Sequence, residues 1–265
     1  KIGETYEVST HKIGNSKIQT KNLNEFIDLN YLVKFISTSD NLSIQVHPDE
    51  EYARAHENDS GKTESWLILD AEDNAGIYLG FKEGVTKKEF KNALTSGLKI
   101  TNFLNFIPVK PGEFYVLPAG LVHAIGKGIT LCEVQQSSGV TYRVWDWDRV
   151  DNAGKARELH IDKAMDVLNF QSAFNKKYSH AQKDNVFDAE FLNLLYKHED
   201  FHATIMNAPI GEHELNLSHG EAIIILNGEV KIDHEDFKSY ESLIGLGENK
   251  IILNTQSACS LLLVK

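Results

Sequence analysis

Hydrophobic positions along the 265-residue chain recur in short runs, many β-branched or aromatic, separated by turn-forming residues. The runs "TYEVST", "YLVKFIS", "LSIQVH", "SWLILD", "AGIYLGF", "EFYVLP", "ITLCEVQ" and "YRVWDW" all precede residue 150. Such spacing predicts short antiparallel strands folded into a sandwich or barrel. The pattern returns later in "EFLNLLYKH", "FHATIMNAP", "EAIIILNGEVKID", "SLIGL", "KIIL" and "CSLLLVK". Within it, Asn227-Gly228 predicts a two-residue hairpin turn.

Two segments depart from this alternation. Residues 86–97 predict a helix, with Thr86 as N-cap, Glu89 completing a capping box and Gly97 ending it. Residues 156–170 place Leu159, Ala164, Val167 and Leu168 near helical spacing and predict a second helix. The polar stretch 175–188 reads as a connector. The charge run Asp49, Glu50 and Glu51 reads as a solvated loop. The expected architecture is mainly β, with two unequal strand-rich modules at 1–152 and 183–265 joined by a helical segment at 153–182.

Composition narrows the functional classes. At 42% hydrophobic and 25% charged, the chain has the make-up of an ordinary globular protein. A net charge of −11 argues against nucleic acid as a partner, because that interaction needs a basic face. A small anion needs only a few local cations and stays compatible. No apolar run approaches membrane-spanning length; "AIIIL" reads as a buried strand. "KIGETYEVST" lacks a signal-peptide pattern, and a start at Lys1 suggests a trimmed or processed end. Cys132 and Cys259 give neither a disulfide framework nor a CxxC metal site, so a reducing, cytoplasmic setting is expected.

The candidate chemistry starts in "LSIQVHPDEEYARAHENDSGKTE". Alternation in a strand puts Gln45 and His47 on one face, and Glu64 opens the next strand, able to reach the same interior. Gly112, Pro118, Gly120 and His123 follow a G-x5-P-x-G-x2-H spacing, a strand ending in a tight turn before a strand that carries histidine inward. Imidazole nitrogens and a carboxylate converging from different strands suit zinc. The remaining histidines singled out, His56, His160, His198, His202, His213, His219 and His234, have no partner at ligand spacing and read as surface or capping residues. Arg143 sits in an aromatic-rich strand beside Asp146 and Asp148, and a purely structural pairing there is the simpler alternative to function. At least one of Trp145 and Trp147 is expected in the core.

Four blocks in order, "LSIQVHPDEEYA", "GKTESWLIL", "NFIPVKPGEFYVLPAGLVHAIGKGI" and "EVQQSSGVTYRVWDWDR", resemble the short bacterial type I mannose-6-phosphate isomerases of the cupin superfamily. The resemblance implies a cupin jelly-roll catalytic domain followed by a degenerate, non-catalytic cupin-like β domain. It implies one zinc ion per chain, held by Gln45, His47, Glu64 and His123. It places catalytic roles on Arg143, Lys62 and Glu133, and substrate contacts on Ser43 and Arg149. The implied reaction interconverts mannose 6-phosphate and fructose 6-phosphate through an enediol(ate), in a monomer or weak homo-oligomer. Which group acts as the C2 base stays open at this level. The family commonly carries an acidic residue where this chain has Gly139, and a leading strand upstream of "GETYEVS". Two other classes fit the same residues: a different metal-dependent cupin enzyme, and a non-catalytic sugar-phosphate-binding regulator.

Overall fold

The computed structural model describes residues 2–151, 153–189 and 191–265. In chain order the first part comprises β1 (Ile2–Val8), a short ribbon of β2 (Lys17–Ile18) and β3 (Lys21–Asn22), then β4 (Tyr31–Thr38) and β5 (Ile44–Val46). After helix α1 (Glu50–Glu57) come β6 (Glu64–Ala71), β7 (Gly76–Phe81), helix α2 (Lys87–Ser96) and β8 (Leu104–Pro108). β9 (Phe114–Leu117), β10 (His123–Ile125), β11 (Ile129–Gln136) and β12 (Tyr142–Trp145) complete it. These strands form two five-stranded sheets, ordered β1-β4-β11-β6-β9 and β12-β5-β10-β7-β8, with antiparallel pairing between neighbours. Facing sheets with this strand order make the jelly roll of the cupin fold.

Helices α3 (Ile161–Val167) and α4 (Ser172–Tyr178) follow. The last part runs through β13 (Leu192–Lys197), β14 (His202–Ala208), β15 (Gly211–Leu217), β16 (Ala222–Asn227) and β17 (Glu229–Ile232). It ends with β18 (Glu235–Lys238), β19 (Ser242–Ile244), β20 (Asn249–Thr255) and β21 (Cys259–Val264). Its sheets are ordered β13-β14-β21-β16-β19 and β15-β20-β17-β18.

Alternation decides which residues enter which core. On β4, Val33 and Phe35 face outward, where they meet Ala203, Ile205, Ile224 and Leu262 of the last part in one shared cluster. Ile36, in contrast, faces inward with Trp66, Ile68, Leu79 and Leu131. The outer face of the second sheet, through Ile44, Val46, Val122 and Ala124, is covered by Phe90 and Ala93 of α2 and Ala164 and Met165 of α3. The interior of the last part is filled by Met206, Ile223, Ile225, Leu253 and Leu261. At about 25 cal/mol per Å² of apolar surface, a shared sheet-on-sheet contact of this kind is a large stabilising term for both parts. Tyr31 reinforces it by donating from its hydroxyl to the Gly220 carbonyl at 2.7 Å, and Gln136 donates to Asp200 at 2.7 Å.

Four local expectations are corrected. The acidic run after Pro48 is a helix: Asp49 caps α1 by accepting from the Tyr52 amide at 2.9 Å, and Glu50 and Glu51 sit in its first turn. Acidic residues there complement the helix dipole, and only Ala53 of α1 is buried, so few apolar residues mark the helix. Residues 156–160 are not helical; α3 begins at Ile161, because the chain before it bonds to β12 and carries a bridge between Val150 and Ala156. The polar stretch 175–188 is not irregular throughout, since residues 175–178 are the last turn of α4. Asn227-Gly228 joins strands of two different sheets, since β16 pairs with β19 and β21 while β17 pairs with β18 and β20. The predicted helix at 86–97 forms as α2 with its Thr86–Glu89 capping box and left-handed Gly97. Trp145 and Trp147 are both partly buried against the helix-side core. Asp49→Ala is expected to cost about 1 kcal/mol in urea unfolding, the usual loss for an N-cap, and a loop without a cap would lose nothing. Among the described residues, no helix is long and apolar enough to cross a membrane.

Candidate metal centre and its cleft

The same alternation brings polar side chains to one end of the first jelly roll's interior. Because Ile44 and Val46 point out to the helix-side core, Gln45 points in, and so does His47 just past the strand's end. Val122 and Ala124 point out, so His123 points in. On β6, Trp66 and Ile68 face the inner core, and Glu64 shares their face. Strand register then aligns Gln45 with His123 on one side and with Arg143 on the other. Gly120 shapes the turn before His123: its φ is +83°, and its amide donates to the His47 carbonyl at 2.9 Å.

The donor atoms converge tightly. His47 Nε2 lies 3.2 Å from Glu64 Oε1, and His123 Nε2 lies 3.6 Å from Glu64 Oε2. One ligand atom from each of these three buried residues falls within 4.8 Å of the others. Each ring is held from behind, His47 Nδ1 by the Val140 carbonyl and His123 Nδ1 by the Leu121 carbonyl, both at 2.8 Å. A carbonyl only accepts, so each Nδ1 carries the proton and each Nε2 presents its lone pair to the centre. Burial, and then the charge of Lys62, lowers the His47 pKa. Burial drives His123 down to about 3, with the neighbouring His47 and Lys62 adding to the effect against Glu64. Burial opposes ionisation of Glu64, but Lys62 and His47 beside it hold its carboxyl well below the usual carboxylate range. The centre therefore consists of two neutral imidazoles and a carboxylate.

His47 Nε2 and both Glu64 oxygens are buried and make no hydrogen bond. Orphaned polar atoms of this kind are costly unless something satisfies them. Lys62 Nζ, 2.6 Å from Glu64 Oε1, supplies charge but no well-directed hydrogen bond. Lone pairs from three residues aimed at one point fit a divalent cation of the zinc or ferrous kind. Gln45 adds a fourth donor: its amide nitrogen is 3.4 Å from His123 Nε2, and turning the amide over presents the oxygen instead.

A second buried acid lies deeper along the sheet. Glu133 accepts from Trp66 Nε1 at 2.8 Å and lies 3.7 Å from Lys34 Nζ. Burial, reinforced by the charge of Glu64, pushes its pKa up to about 7. Lys34 also pairs with Glu4 at 2.9 Å and lies over the Tyr6 ring. Burial disfavours its charge, but Glu133 and Glu4 outweigh that and raise its pKa. A carboxyl whose folded pKa is raised contributes stability that is present below the unfolded value of 4.5 and lost as pH rises through about 7. The metal-stripped protein is therefore expected to lose stability relative to Glu133→Gln between pH 4.5 and 7, measured by urea unfolding across that range. Parallel curves for the two proteins would contradict this assignment.

A cleft of about 450 Å³ opens over these groups. Ser43, Gln45, Lys62, Glu64, Glu133 and Arg143 all line it. Arg149 does not; its guanidinium is committed to Asp146 at 2.5 Å, Asp40 at 3.2 Å and the Asn41 carbonyl at 2.7 Å. Two lining cations went unnoticed in the sequence, Lys34 and Arg157. Lys34 had a signal, a lone lysine inside the apolar run "YLVKFIS"; Arg157 had none. His160, read from the sequence as a surface or capping residue, instead braces the Arg143 backbone. Its Nδ1 accepts from the Arg143 amide at 3.1 Å, and its own amide donates to the Arg143 carbonyl at 2.8 Å. Gly139 sits beneath the segment after β1, and a Cβ there would lie 3.1 Å from both His11 Cε1 and Ile13 Cδ1. Its lack of a side chain lets that segment close on the cleft rim.

Comparisons with known proteins converge on one group of enzymes. No family model matches the chain. It is 42% identical over 167 residues to a mannose-6-phosphate isomerase of Streptococcus mutans, a match covering 63% of this chain and 50% of that protein. The chain thus spans about half the length of the curated relatives it matches. In structure it resembles the mannose 6-phosphate isomerase of Bacillus subtilis, with a TM-score of 0.81 and 27% identity over 99% of this chain and 89% of that one. It shares its fold with a zinc-bound mannose 6-phosphate isomerase, at a TM-score of 0.65 and 16% identity over 91% of this chain and 80% of that one.

Proposed function

We propose that this chain, a relative of the mannose-6-phosphate isomerases, interconverts mannose 6-phosphate and fructose 6-phosphate with one zinc ion held by Gln45, His47, Glu64 and His123. The observation that carries the reading is the set of orphaned donor atoms on His47 and Glu64, with Glu64 itself lining the cleft. That cleft holds four cations, Lys34, Lys62, Arg143 and Arg157, against three carboxylates, Glu4, Glu64 and Glu133, in a chain of net charge −11. An acidic protein with a cation-rich cleft is suited to an anionic small molecule.

When bound, zinc supplies electrostatic stabilisation for the negative charge that develops on the sugar oxygens at C1 and C2. The chain's own residues do the rest. Arg143 keeps its charge at neutral pH and offers several donors to an enediolate oxygen. Its backbone is held at both N–H and C=O by His160, which fixes where the guanidinium starts from. Ring opening and the C2-to-C1 exchange need a group that takes a proton and returns it. Glu133, poised near neutrality, and Lys62, beside Glu64, are the titratable groups on the cleft suited to that work. The proton removed from C2 is returned to C1, so the reaction needs no external oxidant or reductant. Ser43, buried on the cleft wall, offers a hydroxyl to the substrate. The last part of the chain acts structurally, covering the outer face of the first sheet. We place the protein in the cytoplasm as a monomer or weak homo-oligomer.

Two histidines with one carboxylate also form the ligand set of non-haem iron oxygenases, which gives a second reading. Metal analysis of the purified chain with an assay coupled to fructose 6-phosphate formation separates them. Zinc near one per chain with turnover is the expected result; iron at full occupancy without isomerisation would overturn the proposal.

A further inference from the structure

The cations of the cleft are not equivalent. Lys62 is compensated by Glu64 at 2.6 Å, and Lys34 by Glu4 at 2.9 Å. Arg143 has no carboxylate at ion-pair distance among the described residues; its Nη1 donates to the Glu158 carbonyl at 2.8 Å, and its buried Nε has no acceptor. Arg157 reaches only Asp146, at 3.5 Å, and through the same oxygen that Arg149 occupies at 2.5 Å. One carboxylate oxygen shared by two guanidiniums, with Arg149 much the closer, leaves Arg157 with charge to spare. Its side chain is 53% exposed, so it can turn toward a ligand without being dug out of the core.

The non-helical segment 156–160 explains how two arginines well separated along the chain come to face one cleft. His160 and the Glu158 carbonyl tie this segment to Arg143 by three hydrogen bonds, at 3.1, 2.8 and 2.8 Å. Arg157, between those anchor points and the bridge at Ala156, is thereby held at the rim on the Arg143 side. After burial, the charge of Arg157 is the strongest influence lowering the Arg143 pKa, which is what two neighbouring like charges do to each other. Ser43 and Thr141 bring hydroxyls to the same cleft. In a six-carbon sugar phosphate the anionic group lies at the far end from C1 and C2. Its cations therefore belong at the rim, not at the buried floor where Lys62 and Lys34 are already paired.

We propose that Arg157 is a phosphate-binding residue of this cleft, in the place that the sequence suggested for Arg149, leaving Arg143 to the sugar oxygens at C1 and C2. The identity of the phosphate's carrier rests on the isomerase reading; the anion site itself does not. A guanidinium matches the oxygens of a phosphate dianion better than a point charge does, and an anion on Arg157 relieves its repulsion with Arg143.

The test uses the zinc-loaded chain with Arg157→Gln and Arg157→Lys. Calorimetry with inorganic phosphate, and separately with mannose 6-phosphate, is set beside the steady-state KM and kcat. Arg157→Gln is expected to weaken phosphate binding and raise KM about ten-fold or more, with kcat within about three-fold, and Arg157→Lys is expected to fall between. A melting curve establishes that each variant is folded, and the half-exposed position makes that the expected result. Phosphate affinity and KM within about two-fold of the parent in folded Arg157→Gln would overturn the proposal. So would a parent that binds neither inorganic phosphate nor mannose 6-phosphate. A parent that binds phosphate through Arg157 yet turns over no mannose 6-phosphate would support the anion site and sink the isomerase reading alone.

Discussion

Glu64→Gln is expected to cost the protein its metal and about 10³-fold in kcat/KM, the scale of losing several kcal/mol of electrostatic stabilisation. The reasoning is local. Glu64 is the only carboxylate among the described residues that touches both His47 Nε2 and His123 Nε2, at 3.2 and 3.6 Å. Glutamine keeps the shape but removes the charge that makes two neutral imidazoles into a site for a dication. The same change strands Lys62, whose ammonium lies 2.6 Å from the lost charge and is buried. Breaking one half of a buried ion pair costs about 3 kcal/mol or more, so the metal-stripped variant should also be less stable than the metal-stripped parent. The sign with pH follows from the depressed Glu64 pKa. Its contribution is present above the unfolded value of 4.5 and is lost as pH falls through the lower folded value. The stability gap between parent and variant should therefore be full at neutral pH and close on acidification. Zinc content by elemental analysis and urea unfolding at several pH values check both halves. A variant that retains stoichiometric zinc would refute the ligand assignment.

Arg143→Ala is expected to lower kcat by about 10²- to 10³-fold, the usual loss when one donor to a developing oxyanion is removed. Arg143→Lys should recover little, because a point charge cannot reproduce the fixed fork of donors. Zinc content should stay at the parent level, since Arg143 lies beside Gln45 in the strand register but contributes no ligand atom. That separation distinguishes Arg143 from Glu64: one variant loses turnover with its metal retained, the other loses both. Removal of Arg143 also frees the Glu158 carbonyl, an exposed group that water can satisfy, so little loss of stability is expected. Unchanged turnover in Arg143→Ala would reduce the residue to a strand cation.

What the chain announces in advance is what strand alternation governs. The i, i+2 pair Gln45 and His47, the Glu64 that shares a face with Trp66, and the turn that delivers His123 all follow from a two-residue period with its flanking glycine and proline. The capping box at Thr86 and Glu89 is equally local. What stays hidden depends on partners far along the chain. Helix α1 buries only Ala53, so its apolar face is too narrow to read, and its acidic first turn looks like any solvated run. Asn227-Gly228 has the composition of a hairpin, but pairing with β20 and β21 pulls its two flanking strands into different sheets. Residues 156–160 have helical spacing, yet the free edge of β12 offers Arg143 backbone groups that bond His160 and hold the segment out of the helix. That override carries Arg157 into the cleft, while Arg149, nearer in sequence to Arg143, is drawn away by Asp40 and Asp146. Charge pairing, with Asp146 three residues away and Asp40 across the fold, decides which arginine lines the cleft.

The most direct measurement is isomerisation of mannose 6-phosphate to fructose 6-phosphate by the metal-stripped chain as zinc is added back. Activity is expected to be absent at the start and to rise in proportion to zinc until one equivalent is bound. Full turnover by metal-free protein, or none at one bound zinc per chain, would contradict the account.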